Sequence, residues 1–70
     1  MKISEFTVPE LDRFRKMCNF TNAERTAFDL KAKDYSNVQL AMEMNISEST
    51  VSVIMRRVRA KITTIMAWRD

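Results

Sequence analysis

No glycine occurs anywhere in this 70-residue chain, and there is a single proline, Pro9. Hairpin turns need positive φ at their central positions, which glycine supplies at least cost. An all-β fold with a turn every ~8–12 residues is therefore closed to the chain. Helices remain, but each must end without the usual glycine C-cap. The stretch "AMEMNISEST", residues 41–50, shows how. After Gly, Asn takes the left-handed conformation most readily, so Asn45 can end one helix. Ile46 is apolar and packs back across the turn. Ser47 caps the next helix, with Glu48 beside the positive end of its dipole. Two helices joined through three residues have the spacing of a helix-turn-helix.

The rest of the chain reads as two further helices, giving an all-α, four-helix bundle-like domain over residues 1–70. The helices fall at roughly 9–18, 22–33, 36–44 and 48–66. In "TVPELDRFRKMCN", Thr7 or Val8 is the cap, Pro9 takes the first helical position, and Leu11, Phe14, Met17 and Cys18 share a face. The lone Cys18 reads as a small core residue, because there is no second Cys and no His to pair with it. Thr21 and Glu24 form a T-x-x-E capping box, after which Ala23, Ala27, Phe28 and Leu30 supply the buried side. Ser36 and Asn37 offer caps for the third helix, whose apolar positions are Val38, Leu40, Ala41 and Met44. In the fourth, Val51, Ile54, Met55 and Val58 form one side at ~100° per residue. Ser49, Val53, Arg56 and Ala60 lie roughly opposite, flanked by Ser52 and Arg57.

Charge sharpens this picture. The 12 basic and nine acidic residues leave a formal charge of +3. Residues 1–47 balance, so the excess lies in the last third, where Arg56, Arg57, Arg59, Lys61 and Arg69 face Glu48 and Asp70. A basic cluster is the electrostatic footprint of a phosphate-binding surface, and equally of a solvated helix face with extended arginines. The small side chains around Arg56 favour close approach to another surface, which the major groove of DNA demands.

The residues from Phe20 to Ile62 resemble the helix-turn-helix of LuxR-type regulators, and equally the fourth conserved region of bacterial sigma factors. The shared pattern is L-T-x-x-E-x-x-V-L-x-L-x-A-x-G-x-S-x-x-E-I-A-x-x-L-x-I-S-x-x-T-V. It is met here by Phe20, Thr21, Glu24, Ala27, Phe28, Leu30, Ala32, Ser36, Gln39, Leu40, Ala41, Met44, Ile46, Ser47, Thr50 and Val51. Asp34 stands where the family carries Gly, Gln39 replaces Glu, and Ala27 replaces a larger residue. Ile54, at a position where LuxR-type proteins carry His, and the run "RRVRAKI" lean towards the sigma-like form.

The resemblance implies a DNA-binding transcriptional regulator with residues 36–61 as its helix-turn-helix, encoded by a bacterium or a phage and acting in the cytoplasm. Ser47, Ser49, Ser52, Val53 and Arg56 would face the groove, Ser47 being a cap first and a contact second. Ser36, Asn37 and Thr50 would approach backbone phosphates, and Arg57, Arg59 and Lys61 would neutralise more of them. Arg56 has two readings, bidentate contact to guanine or a phosphate contact.

Residues 1–19 are too few for a receiver or ligand-binding domain, so the chain reads as a stand-alone reader. Its C-terminal extension, residues 62–70, is apolar through Ile62, Ile65, Met66 and Trp68. Two fates compete for it: packing on the first helix with Trp68 near Phe14 or Phe6, or pairing with a second copy in a homodimer. No apolar run approaches a membrane span. With no His, no Gly-rich loop, no apolar carboxylate pair and no metal-ligand cluster, the chain reads as a non-enzyme without cofactor or metal. The remaining alternative is a protein-interaction module for RNA polymerase or another regulator. Such a surface needs an aromatic or Leu anchor, which the Ser49, Ser52 and Ala60 side lacks.

Overall fold

A computed structural model describes residues 2–68, and within them every regular element is a helix. A short 3-10 helix, Ile3–Glu5, precedes α1 (Val8–Met17), α2 (Asn22–Ala32), α3 (Asn37–Met44) and α4 (Glu48–Ala67). The four expected helices are all present, each within two residues of its expected ends. The 3-10 turn was not legible from the pattern.

Each helix start is made by a hydroxyl. Thr7, Thr21 and Ser36 each accept the backbone N–H three residues on, and Glu10, Glu24 and Gln39 return the bond to the cap residue's own N–H. Three capping boxes thus satisfy donors that would otherwise be orphaned. Thr7, rather than Val8, is the cap of α1. The glutamine at position 39 serves as well as a glutamate, its Oε1 accepting from the Ser36 N–H at 2.8 Å.

Each of the first three helices is left through a left-handed Asn or Asp: Asn19 (φ 51°), Asp34 (φ 67°) and Asn45 (φ 56°). The ends of α2 and α3 share a Schellman pattern. Tyr35 N–H donates to the Leu30 carbonyl at 3.2 Å and Asp34 N–H to that of Lys31 at 2.9 Å. In α3, Ile46 N–H reaches Ala41 at 3.0 Å and Asn45 N–H reaches Met42 at 3.4 Å. Asp34 therefore performs the turn that glycine performs elsewhere, since a short polar side chain tolerates this conformation better than any other bearing a Cβ.

The core lies along α4. Phe28, Leu40, Met55, Ile62, Val51 and Val58 are fully buried, so α2 and α3 both pack on the central helix. Fully burying side chains of this kind stabilises by roughly 1.5–3 kcal/mol each. Phe6 stacks on Phe14 and Phe20 on Phe28, both with ring centroids 5.0 Å apart. Arg15 ties α1 to α2, its Nε donating to Asp29 Oδ1 at 2.7 Å while its guanidinium lies over the Phe28 ring.

Three expected core positions are exposed. Ala23 faces solvent and Glu24 is buried in its stead. The capping box sets the phase of α2, and Ala23 lies roughly 100° round from the face that Glu24, Ala27 and Phe28 share. Met17 and Val38 also stand out from the surface. Among the described residues no helix is long and apolar enough to cross a membrane.

Candidate nucleic-acid interface

The turn between α3 and α4 sets the site. Ser47 Oγ accepts the Thr50 N–H at 3.2 Å, and the two hydroxyls share a hydrogen bond of 3.0 Å. With Asn45 left-handed and Ile46 half-buried, α4 leaves the turn with one side committed to the core. Val51, Ile54, Met55 and Val58 are buried there. The opposite side is then forced outward: Ser47, Ser49, Thr50, Ser52, Val53, Arg56 and Ala60 are all exposed. Its middle is short and uncharged. Arg56 rises from that floor, with Arg59 and Arg57 to either side at roughly 60° and 100° round the axis.

Among the described residues, Arg56, Arg57 and Arg59 form no hydrogen bond or ion pair. Arg56 and Arg59 have no internal acceptor, while the charge of Arg57 acts on the buried Glu24 carboxyl. Exposed cations cost no desolvation to keep apart, and they present donors suited to phosphate or to a guanine edge. At the N-terminus of α3, Ser36 is exposed and engaged in its capping box, while Asn37 is half-buried. The Asn37 Oδ1 is buried without a partner. An acceptor in that position offers nothing to a phosphate.

Two expected roles are revised. Lys61, four positions beyond Arg57 and only about 40° round the axis from it, lies on the flank of α4 that faces α2. Its ammonium donates to Glu24 Oε1 and, at 3.2 Å, to the Asn19 carbonyl. Glu24 is 3% exposed and needs this partner. The Lys61 hydrogen bond holds the carboxyl below the usual range, against the opposing effect of burial. Lys61 is thus a structural cation that locks α4 to α2, rather than a free phosphate neutraliser. Beside it, burial raises the Cys18 thiol above its ordinary value, with Lys61 acting the other way, so Cys18 is a protonated core residue at neutral pH.

The second revision concerns the C-terminal extension. Ile62 and Ile65 belong to the core, at 0% and 9% exposure, and are not available to a second copy. Met66 and Trp68 are exposed, and two residues apart on a helix they diverge by roughly 160°. Trp68 is 74% exposed and does not pack on Phe6 or Phe14, which pair with each other. Arg69 lies outside the described residues.

The one feature that sequence reasoning missed near the site is the burial of Glu24. The T-x-x-E box revealed its capping role, but its second partner lies 37 residues away in sequence. Among the described residues no cluster of His, Cys, Asp or Glu could hold a metal ion.

A model of the family described as bacterial regulatory proteins, luxR family, matches residues 18–65. No curated protein and no solved structure matches the chain significantly. The matched span runs from the end of α1 through the Ile65 turn of α4, so it contains the whole helix-turn-helix. Ile54, whose departure from the LuxR-type histidine leaned towards a sigma-like form, is a buried core residue here.

Proposed function

The chain belongs to the luxR family of bacterial regulatory proteins, and from that premise we propose that it is a sequence-specific reader of double-stranded DNA with α4 in the major groove. The observation that supports this is the outward side of α4: small side chains around Arg56 and Arg59, which have no internal acceptor, with Arg57 at the flank. Ser49, Ser52, Val53 and Arg56 face the base edges, and Ser47 and Thr50 lie at the groove's entrance. Arg57, Arg59 and the start of α3 at Ser36 and Asn37 lie along the flanking phosphates, which fix register without carrying sequence information.

A second reading, docking on RNA polymerase or another protein, is favoured by Val38 and Met42. They stand one turn apart on α3 and are 51% and 76% exposed. A pair of apolar side chains beside a DNA-facing helix suits a partner on the same promoter, so the two readings are compatible. A homodimer would have to use Met66 and Trp68 without the two isoleucines.

The test is selection of a bound motif from a random duplex pool, followed by affinity measurements at several salt concentrations. A specific reader enriches one motif and loses affinity with salt, log K falling by roughly 0.9 per phosphate neutralised for each unit of log salt. No enrichment together with a flat salt response rejects DNA reading and leaves the protein partner.

A further inference from the structure

Beside the outward side of α4, sharing Arg59 with it, lies a cavity of about 90 Å³ between the N-terminal 3-10 helix, the end of α2 and the flank of α4. That is room for several waters. Its floor is Ile3, which is 4% exposed, and its walls carry Lys2, Ser4, Lys31, Asp34, Tyr35 and Arg59. Three cations therefore look into one small space against one carboxylate. Asp34 is already engaged: Ser4 Oγ donates to its Oδ1 at 3.3 Å, and Lys2 Nζ stands 4.0 Å from the same oxygen. Lys31 and Arg59 form no hydrogen bond or ion pair among the described residues.

We propose that this cavity binds a phosphate group, held by Lys31 and Arg59 with the Tyr35 hydroxyl and Lys2 at its edge. The geometry has the required parts. Arg59 brings a planar fork, Lys31 a compact point charge, and Tyr35 a neutral donor, all on different elements that the fold fixes. An anion between Lys31 and Arg59 converts a like-charge approach into two charge-assisted contacts, the strongest kind of hydrogen bond a protein surface offers. The surroundings of Lys31 agree: burial, with Arg59 second, lowers its pKa, and Asp34 opposes them.

The site shares Arg59 with the outward side of α4, and through it ties the N-terminal turn to the DNA-reading helix. The phosphate has two possible sources, a backbone phosphodiester of bound DNA or free phosphate, including that of a small monoester.

The experiment is an amide-resolved NMR titration of the full chain with inorganic phosphate, against sodium chloride at equal ionic strength. Saturable shifts confined to residues 2–4, 31–35 and the Arg59 side chain are expected. Lys31→Ala should weaken binding about tenfold, as loss of one charge-assisted bond implies. Asp34→Asn, which keeps a residue suited to the left-handed conformation, should tighten it. Shifts that do not saturate, that chloride reproduces, or that Lys31→Ala leaves untouched overturn the proposal. A duplex then identifies the source. Displacement of phosphate by DNA assigns the cavity to the backbone, and retention of phosphate on the DNA-bound protein assigns it to free phosphate. Duplex binding that depends on Arg56 but occurs in a protein with no saturable phosphate response would remove the cavity proposal alone.

Discussion

Arg56 and Lys61 lie five residues apart on one helix, belong to one basic cluster, and do opposite things. Arg56 projects from the first half of α4 with no internal acceptor, whereas Lys61 in the second half is bound to a carboxylate that is 3% exposed. The first half of α4 is held at its start by a cap and a left-handed Asn, leaving its outward side open. The second half is tied down by Lys61, Ile62 and Ile65. A count of charges treats the two halves alike. Burial of the partner separates them: a cation facing a buried carboxylate belongs to the fold, and a cation facing small exposed side chains is available to a ligand.

The largest expected effect breaks the tied half. Lys61→Ala leaves the Glu24 carboxylate buried and unpaired, at a cost of about 3 kcal/mol. For a domain of this size that lowers the melting temperature by roughly 12–24 °C. Thermal unfolding followed by circular dichroism measures it, and an unchanged melting temperature would return Lys61 to the DNA-binding set. The same pair predicts a pH dependence. The folded pKa of Glu24 lies below its ordinary value, so its stabilisation is present above about pH 4.3–4.5. It is lost as pH falls through the lower folded pKa. Glu24→Gln should flatten that acid limb in urea titrations across pH 2–6.

The next effect should appear only in binding. Arg56→Ala removes an exposed guanidinium without a partner, so the melting temperature should stay put while affinity for the selected motif falls by about 1–3 kcal/mol. Arg59→Ala should weaken all duplexes alike and reduce the salt slope by about one. Equal losses for Arg56→Ala on motif and random DNA would mean that Arg56 also contacts phosphate, and base reading would pass to Ser49, Ser52 and Val53.

The hinge between the halves of the helix-turn-helix comes third. Asn45→Ala places a Cβ-bearing residue without a helpful side chain at φ 56° and should cost about 1 kcal/mol. Asn45→Gly should be neutral or slightly stabilising. Chemical denaturation of the two variants side by side checks the sign. If alanine were tolerated as well as glycine, the left-handed exit would not be what holds α4 at its angle.

Most of this architecture was legible because it is local. The helices announce themselves by caps three residues long and by apolar spacing of three and four, and the Asn45–Ser47 turn follows from the absence of glycine. What was hidden depends on residues distant in sequence. From sequence Glu24 reads only as a capping residue and Lys61 as a phosphate contact, because the two lie 37 residues apart. Ala23 is apolar and so reads as core, although the capping box sets the phase that turns it outward. The cavity at Lys31 and Arg59 combines three separate elements that no single periodicity links. Ile62 and Ile65 continue the apolar spacing of α4, but from sequence they serve equally a fold-back onto the first helix or a second copy.

That double use leaves Trp68 as the sharpest test of the last turn. At 74% exposure it makes little contact with the rest of the chain, so Trp68→Ala should change stability by no more than about 0.5 kcal/mol. Its fluorescence should be that of a solvated indole at any protein concentration. The other outcome is equally informative. A blue shift that grows with concentration, joined by a destabilisation well above 0.5 kcal/mol in Trp68→Ala, requires the indole to be covered by a second copy. The end of α4 would then be an interface built from Met66 and Trp68, with Ile62 and Ile65 supporting it from the core beneath. A protein so paired would read two half-sites about one helical turn apart, and the selected motif would be palindromic. A solvated Trp68 with a single-sided motif fixes the reading unit as one chain, with Lys61 and the isoleucines serving only to hold α4 in place.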